Sequence, residues 1–175
     1  MPDWEDSLDR SSTGPETRLS TILDEMIVEK TVSKFLRNEL IVTPFRDYPI
    51  EADVLVDDVL VIEVQSVAFH VGMKIHGKYK VQKTRAKKDQ HKYECFEQMG
   101  YGVLWLYDDE LNKASIPKYR EAWRPIIKHW IEKMLEYAKK VNKLYNSYQN
   151  ETINVPTATH PDLAMVSLRA DSRRL

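Results

Sequence analysis

One cysteine, Cys95, stands in the 175 residues. A single thiol excludes an intramolecular disulfide and a thiolate metal cluster, and a buried free thiol is its expected state. No apolar run reaches the roughly 18 residues of a membrane span, and the first residues show no signal-peptide core. The expected location is therefore cytoplasmic, in the nucleoid-associated class, with no membrane partner. Excess charge of one sign is missing too: 26 Lys and Arg face 27 Asp and Glu, for a formal net charge of -1. A global basic signature for nucleic acid is absent, so any such surface must be local. No internal repeat is visible. What remains is 42% hydrophobic and 30% charged, the composition of one globular domain with appendages.

The most informative stretch runs from Glu51 to Gln65. Val54 and Val56 alternate with Leu55, and Val59, Leu60, Val61 and Ile62 form a continuous apolar run. The pattern predicts two strands joined by a tight Asp57-Asp58 turn, the second buried on both faces. Two acids share this apolar context, Asp53 opening the first strand and Glu63 near the end of the second. A carboxylate placed there carries a desolvation cost unless a cation or donors meet it. Paired across a hairpin, the two could converge as hard oxygen ligands for Mg²⁺. The plainer reading makes Asp53 a strand-start residue and Glu63 a solvated edge acid, with Asp57 and Asp58 as turn residues.

Taken in order, residues 1–14 are expected to form a loose N-terminal arm. A capping box, Thr13 with Glu16, and Pro15 near the first position open a helix. Leu19, Ile22, Leu23, Met26 and Ile27 recur at helical spacing, and Val32, Phe35, Leu36 and Leu40 continue it after a break near Thr31. A first strand is expected from Ile41 to Phe45, held to an edge by Pro44. Residues 66–82 read as a loop. A helix follows from Lys83 to Met99, with Tyr93 and Phe96 on its buried side and Gly100 as its C′ residue. Tyr101–Tyr107 is a buried strand, closed by Asp108, Asp109 and Glu110. From Pro117 to Tyr148 a long helical region is expected, kinked or restarted at Pro125. Its stripe, from Ile127 through Ile131, Met134 and Ala138 to Tyr148, covers the sheet or pairs with a second copy. Residues 151–175 read as a tail. The overall expectation is an α/β fold: a small mixed central sheet flanked by helices, with a core over 15–110 and a helical extension over 111–150 for packing or dimerisation.

Lys74, Lys78, Lys80, Lys83, Arg85, Lys87, Lys88 and Lys92 crowd the segment after Glu63, with His70, His76, His91, Tyr79 and Tyr93 interleaved. Such a run is often only a solvated face. Beside a carboxylate pair it also suits a phosphodiester substrate, because cations hold the backbone while a metal activates water. Asp89 and Lys92 share a helix face with Phe96 and should look toward the sheet, as a salt bridge or as part of a site.

Asp53, followed ten residues later by Glu63-Val64-Gln65, resembles the signature of the PD-(D/E)xK nuclease superfamily, with Gln65 where lysine is more common. The run Lys88-Asp89, Lys92, Phe96 and Gly100-Tyr101 resembles the helix-to-strand segment of its very-short-patch-repair-like branch. Glu63-Val-Gln65-Ser66, with Trp105-Leu106 ending a later strand, is similar to the competence proteins of the CoiA type. The resemblance covers roughly residues 15–108 and implies a restriction-endonuclease-like core. It implies that Asp53, Glu63 and the Val64 carbonyl hold Mg²⁺, which Mn²⁺ can replace. It also implies that Glu16 is the acid such enzymes present on the leading helix, unless it is only a capping residue. Gln65 cannot carry charge or act as a base but can orient water or a phosphate oxygen; Lys92 or Lys83 would supply the missing cation. Lys74, Lys78, Lys80, Lys83, Arg85, Lys87 and Lys88 would hold the nucleic acid. The expectation is a Mg²⁺-dependent DNA endonuclease, plausibly a homodimer. The alternatives are a nuclease-fold module that binds nucleic acid with little or no cleavage, and an assembly protein that pairs through its C-terminal helix.

Overall fold

The computed structural model describes residues 14–66, 73–75, 78–80 and 83–151. The expectations for a loose arm before residue 14, for Thr13 as a cap, for His70 and His76, and for the tail after 151 lie outside the described residues. In chain order the elements are α1 (Gly14–Val28), β1 (Phe35–Ile41), β2 (Ile50–Val56), β3 (Leu60–Gln65), β4 (Met73–Ile75), β5 (Lys78–Lys80), α2 (Lys83–Gln98), β6 (Gly102–Tyr107), α3 (Asp108–Lys113) and α4 (Pro117–Glu151). The main sheet has the order β1-β2-β3-β6. Its first three strands are antiparallel, and β6 joins β3 in parallel. Parallel neighbours need a crossover, and α2 lies on it. The expected mixed α/β sheet, flanked by helices and followed by a long C-terminal helix, is what the chain forms.

The β2–β3 hairpin turns where the sequence places it. Asp57 and Asp58 both take positive φ, 49° and 60°, and the Val59 N–H donates to the Val56 carbonyl at 3.1 Å. Positive φ at both central residues makes this a type I′ turn, whose twist matches that of the strands. Asp57 does more than turn. Its Oδ1 accepts the N–H groups of Ser33 (2.9 Å) and Lys34 (3.0 Å), and its Oδ2 pairs with Lys139 of α4 at 3.1 Å.

Both faces of the sheet are covered. Leu19, Ile22, Leu23 and Met26 of α1, with Ile127, Ile131, Leu135 and Ala138 of α4, pack on Val54, Val56, Leu60, Ile62, Leu104 and Leu106. On the opposite face Tyr93, Cys95 and Phe96 of α2 pack on Ile41, Ile50, Ala52, Leu55 and Val61. Strand β3 is thus buried from both sides, as its apolar run predicts. From Ile127 to Ala138 the stripe of α4 covers the sheet of its own chain, while Leu144 further on is exposed. The approach is close: a Cβ built on Gly102 would lie 2.6 Å from the Ala138 Cβ. Among the described residues no helix is long and apolar enough to cross a membrane.

Four expectations change. The helix does not resume after Thr31; Phe35–Ile41 is a strand, so β1 begins six residues before the expected Ile41 start. Helix α1 ends because Lys30 takes φ 62°. Its N–H donates to the Ile27 carbonyl (3.0 Å) and the Thr31 N–H to the Met26 carbonyl (3.0 Å), a Schellman stop built without glycine. Residues 66–82 are not all loop: β4 and β5 form a small antiparallel hairpin. Asp108–Lys113 is a helical turn, α3, with the Glu110 carboxylate accepting the Tyr107 N–H at 2.9 Å. Finally, α4 runs through Pro125 without restarting; proline costs it one backbone donor, and the buried stripe of the helix holds it together.

Candidate active site

The site begins as a fault in the sheet. Pairing of β2 with β3 runs from Val56↔Leu60 to Val54↔Ile62. Pairing of β2 with β1 passes from Arg37↔Val54 to Glu39↔Ala52, with Asn38 and Asp53 between them. Asn38 has φ 51°, a conformation asparagine tolerates better than most residues. Residues two apart on a strand should share a face. Yet Ala52 packs in the α2-side cluster and Val54 in the other. The strand therefore rotates at Asp53, and its ladder is replaced by side chains. The Asp53 N–H donates to Glu63 Oε1 at 3.3 Å. The Val64 N–H donates to Asp53 Oδ2 at 2.8 Å. Each carboxylate thus reaches the backbone of the other's strand, and the two acids meet.

Glu63 projects from β3 toward α2 and is only 3% exposed. Lys92 of α2 brings its Nζ to 2.6 Å from Glu63 Oε2. Burial, followed by the negative charge of Asp53, pushes the Glu63 carboxyl up to about 7, against the pull of Lys92 in the other direction. One ammonium therefore does not balance two carboxylates in this setting. When all three are ionised the cluster keeps one net negative charge in a poorly solvated place, which favours a further cation.

Gln65, one pleat beyond Glu63, is 5% exposed. Its Nε2 donates to the Tyr93 hydroxyl. Its Oε1 is buried and meets no donor among the described residues. The Tyr93 ring lies 4.5 Å from that of Trp105, centroid to centroid. Burial, then the charges of Glu63 and Asp89, raises the Tyr93 phenol above its ordinary range. It stays a protonated hydroxyl near neutral pH.

The other expected residues lie as follows. Glu16 is in the first turn of α1, a helix that packs on the face opposite α2; the contacts that define the acid pair come from β2, β3 and α2. Lys74 lies in β4, Lys78 and Lys80 in β5, and Lys83, Arg85, Lys87 and Lys88 in α2. All of them fall between Gln65 and Lys92 along the chain. Lys88 and His91 are exposed. Tyr93, expected on the buried side of its helix and among the residues interleaved with the basic run, was given no role at the site. The signal that could have found it was Gln65 itself: an amide on a strand buried on both faces needs a polar partner from the covering helix.

The donor set fits a hard divalent cation. Among the described residues no cluster of three or more His, Cys, Asp and Glu could enclose a metal. Two carboxylates are hard oxygen donors, the kind that Mg²⁺ takes. A scan against protein-family models, a search of curated proteins and a search of solved structures each gave no match.

Proposed function

We propose that the chain is a divalent-metal-dependent endonuclease that hydrolyses DNA phosphodiester bonds, built on a restriction-endonuclease-like core. The observation that carries this reading is the convergence of Asp53, Glu63 and Lys92 at the break in β2, at the end of a segment rich in lysine. The order of helix, three antiparallel strands, crossover helix and parallel strand supports it.

In this reading Asp53, Glu63 and the Val64 carbonyl would hold Mg²⁺ or Mn²⁺, and the chemistry such an ion would supply is activation of water and neutralisation of phosphate charge. The water oxygen bonds to phosphorus, one P–O ester bond breaks, and the departing oxygen takes up a proton. Lys92, already beside Glu63, offsets the charge that grows on the phosphate oxygens. In this reading it is the cation that Gln65 cannot provide. The basic residues between Lys74 and Lys88 hold the DNA backbone. A homodimer would present one such centre to each strand. Because α4 spends its apolar stripe on its own sheet, the contact would use another surface, such as the exposed Leu36, Leu40 and Val42 at the β1 edge; sedimentation as a dimer tests this.

Plasmid nicking with Mg²⁺ or Mn²⁺ tests the activity. Asp53→Ala and Glu63→Ala should abolish cleavage while circular dichroism stays native. Full activity in both variants removes the assignment. The second reading, a module that binds DNA without cutting, is favoured by Gln65 in place of lysine, and salt-dependent binding without any nicking would support it.

A further inference from the structure

We infer that Tyr93 is a positioning residue, whose hydroxyl fixes the Gln65 amide so that its Oε1 stands as the acceptor for a water beside the acid pair. The inference rests on the nuclease reading and adds to it the residue that sets the Gln65 amide and the choice of water over a phosphate oxygen.

Three observations lead to it. Gln65 is 5% exposed, and burying a primary amide is costly unless both ends are met. Only one end is met by the described protein: Nε2 donates to the Tyr93 hydroxyl, while Oε1 is buried without a donor. Tyr93 is itself held, 3% exposed, with its ring against Trp105, and Trp105 stands in register with Glu63 across the β3–β6 pair. A phenol clamped in this way is a rigid anchor. With Nε2 turned to Tyr93, the carbonyl oxygen is the end of the amide left without a donor among the described residues. A carbonyl oxygen accepts hydrogen bonds and repels anions, so it selects water over a phosphate oxygen. Gln65 follows Glu63 by two residues along β3, so a water held there would stand on the same side of the strand as the Glu63 carboxylate.

The test is a double-variant cycle in a metal-dependent DNA cleavage assay, with melting temperature recorded for every protein. Tyr93→Phe removes one oxygen and keeps the ring packing. It should lower kcat by about 10- to 100-fold, the usual cost of losing a residue that orients a catalytic partner, with KM for DNA unchanged. Gln65→Ala should reproduce that loss, and the double variant should be no worse than Gln65→Ala alone. A kcat for Tyr93→Phe equal to wild type, or losses that multiply in the double variant, would overturn the inference and leave the nuclease reading standing. If the wild-type chain cleaves no form of DNA with either metal, the nuclease reading falls and this inference with it. Should Tyr93→Phe fail to fold, Gln65→Ala still decides: full activity in that variant refutes the assignment.

Discussion

Glu63 is an acid that the fold partly disarms. Its carboxyl titrates near 7 in the folded chain against an ordinary value of 4.5. Between those values the native state holds more protons than the unfolded chain, so stability falls as pH rises from about 4.5 to about 7, and the loss persists above. Glu63→Gln cannot titrate. Urea unfolding at pH 5 and pH 8 should show wild type losing on the order of 1–3 kcal/mol more than this variant across the interval. Lys92 supplies the complementary case. Lys92→Met strands the ionised Glu63, and should cost about 1–3 kcal/mol at pH 8. The cost should fade at pH 5, where Glu63 is protonated, and should largely vanish in a Glu63→Gln background. Denaturant midpoints of the four proteins check this. At this scale the sequence was legible where charge meets apolar surroundings: Asp53 and Glu63 stand out because acids rarely occur in such a run. Tyr93 was not legible, since a tyrosine in a helical stripe looks like core, and its hydroxyl matters only once Gln65 is seen opposite.

Among the elements, α4 and β6 approach each other closely at Gly102. Gly102 leaves room for Ala138, so Gly102→Ala should push α4 away from the sheet. The expected cost is about 1–3 kcal/mol, read as a lowered melting temperature, with partial recovery in Gly102→Ala/Ala138→Gly. How the elements end explains what could be read beforehand. Helix α2 stops at Gly100 with φ 81°, and glycine announces such a stop. Helix α1 stops at Lys30 in the same left-handed region, and no residue type there gives warning. Val32, Phe35, Leu36 and Leu40 then fit a helical spacing as well as a strand. The edge position of β1 removes the two-sided burial that would have told them apart, for Leu36 and Leu40 are both exposed. The Asp57-Asp58 turn was legible because its flanking runs are strongly β-branched. The β4–β5 hairpin was not, because two three-residue strands carry too few side chains to show a period.

Across the whole molecule the balance of charge is nearly even, and the basic residues that would hold a polyanion are concentrated between β3 and the middle of α2. DNA affinity should therefore fall steeply with salt, as contacts to phosphates do. Replacing Lys83, Arg85, Lys87 and Lys88 together with alanine should flatten the slope of log K against log salt, measured by fluorescence anisotropy. An unchanged slope would place the DNA on another surface. The sheet, its crossover and the long helix follow from apolar patterning, but whether that helix served its own chain or a second copy depended on contacts that no spacing encodes.

The β2–β3 hairpin is fastened at one end only. At its tip Asp57 is stitched to the start of β1 and to α4; toward the other end the strands part at Asp53, and carboxylates stand in for the missing rungs. The pair works as tweezers welded at the bend, with the two acids as jaws. An ion gripped between the jaws, as the proposed function requires, would set their spacing, so a change at the weld, four residues along the chain from the nearer jaw, would be felt as a change in grip.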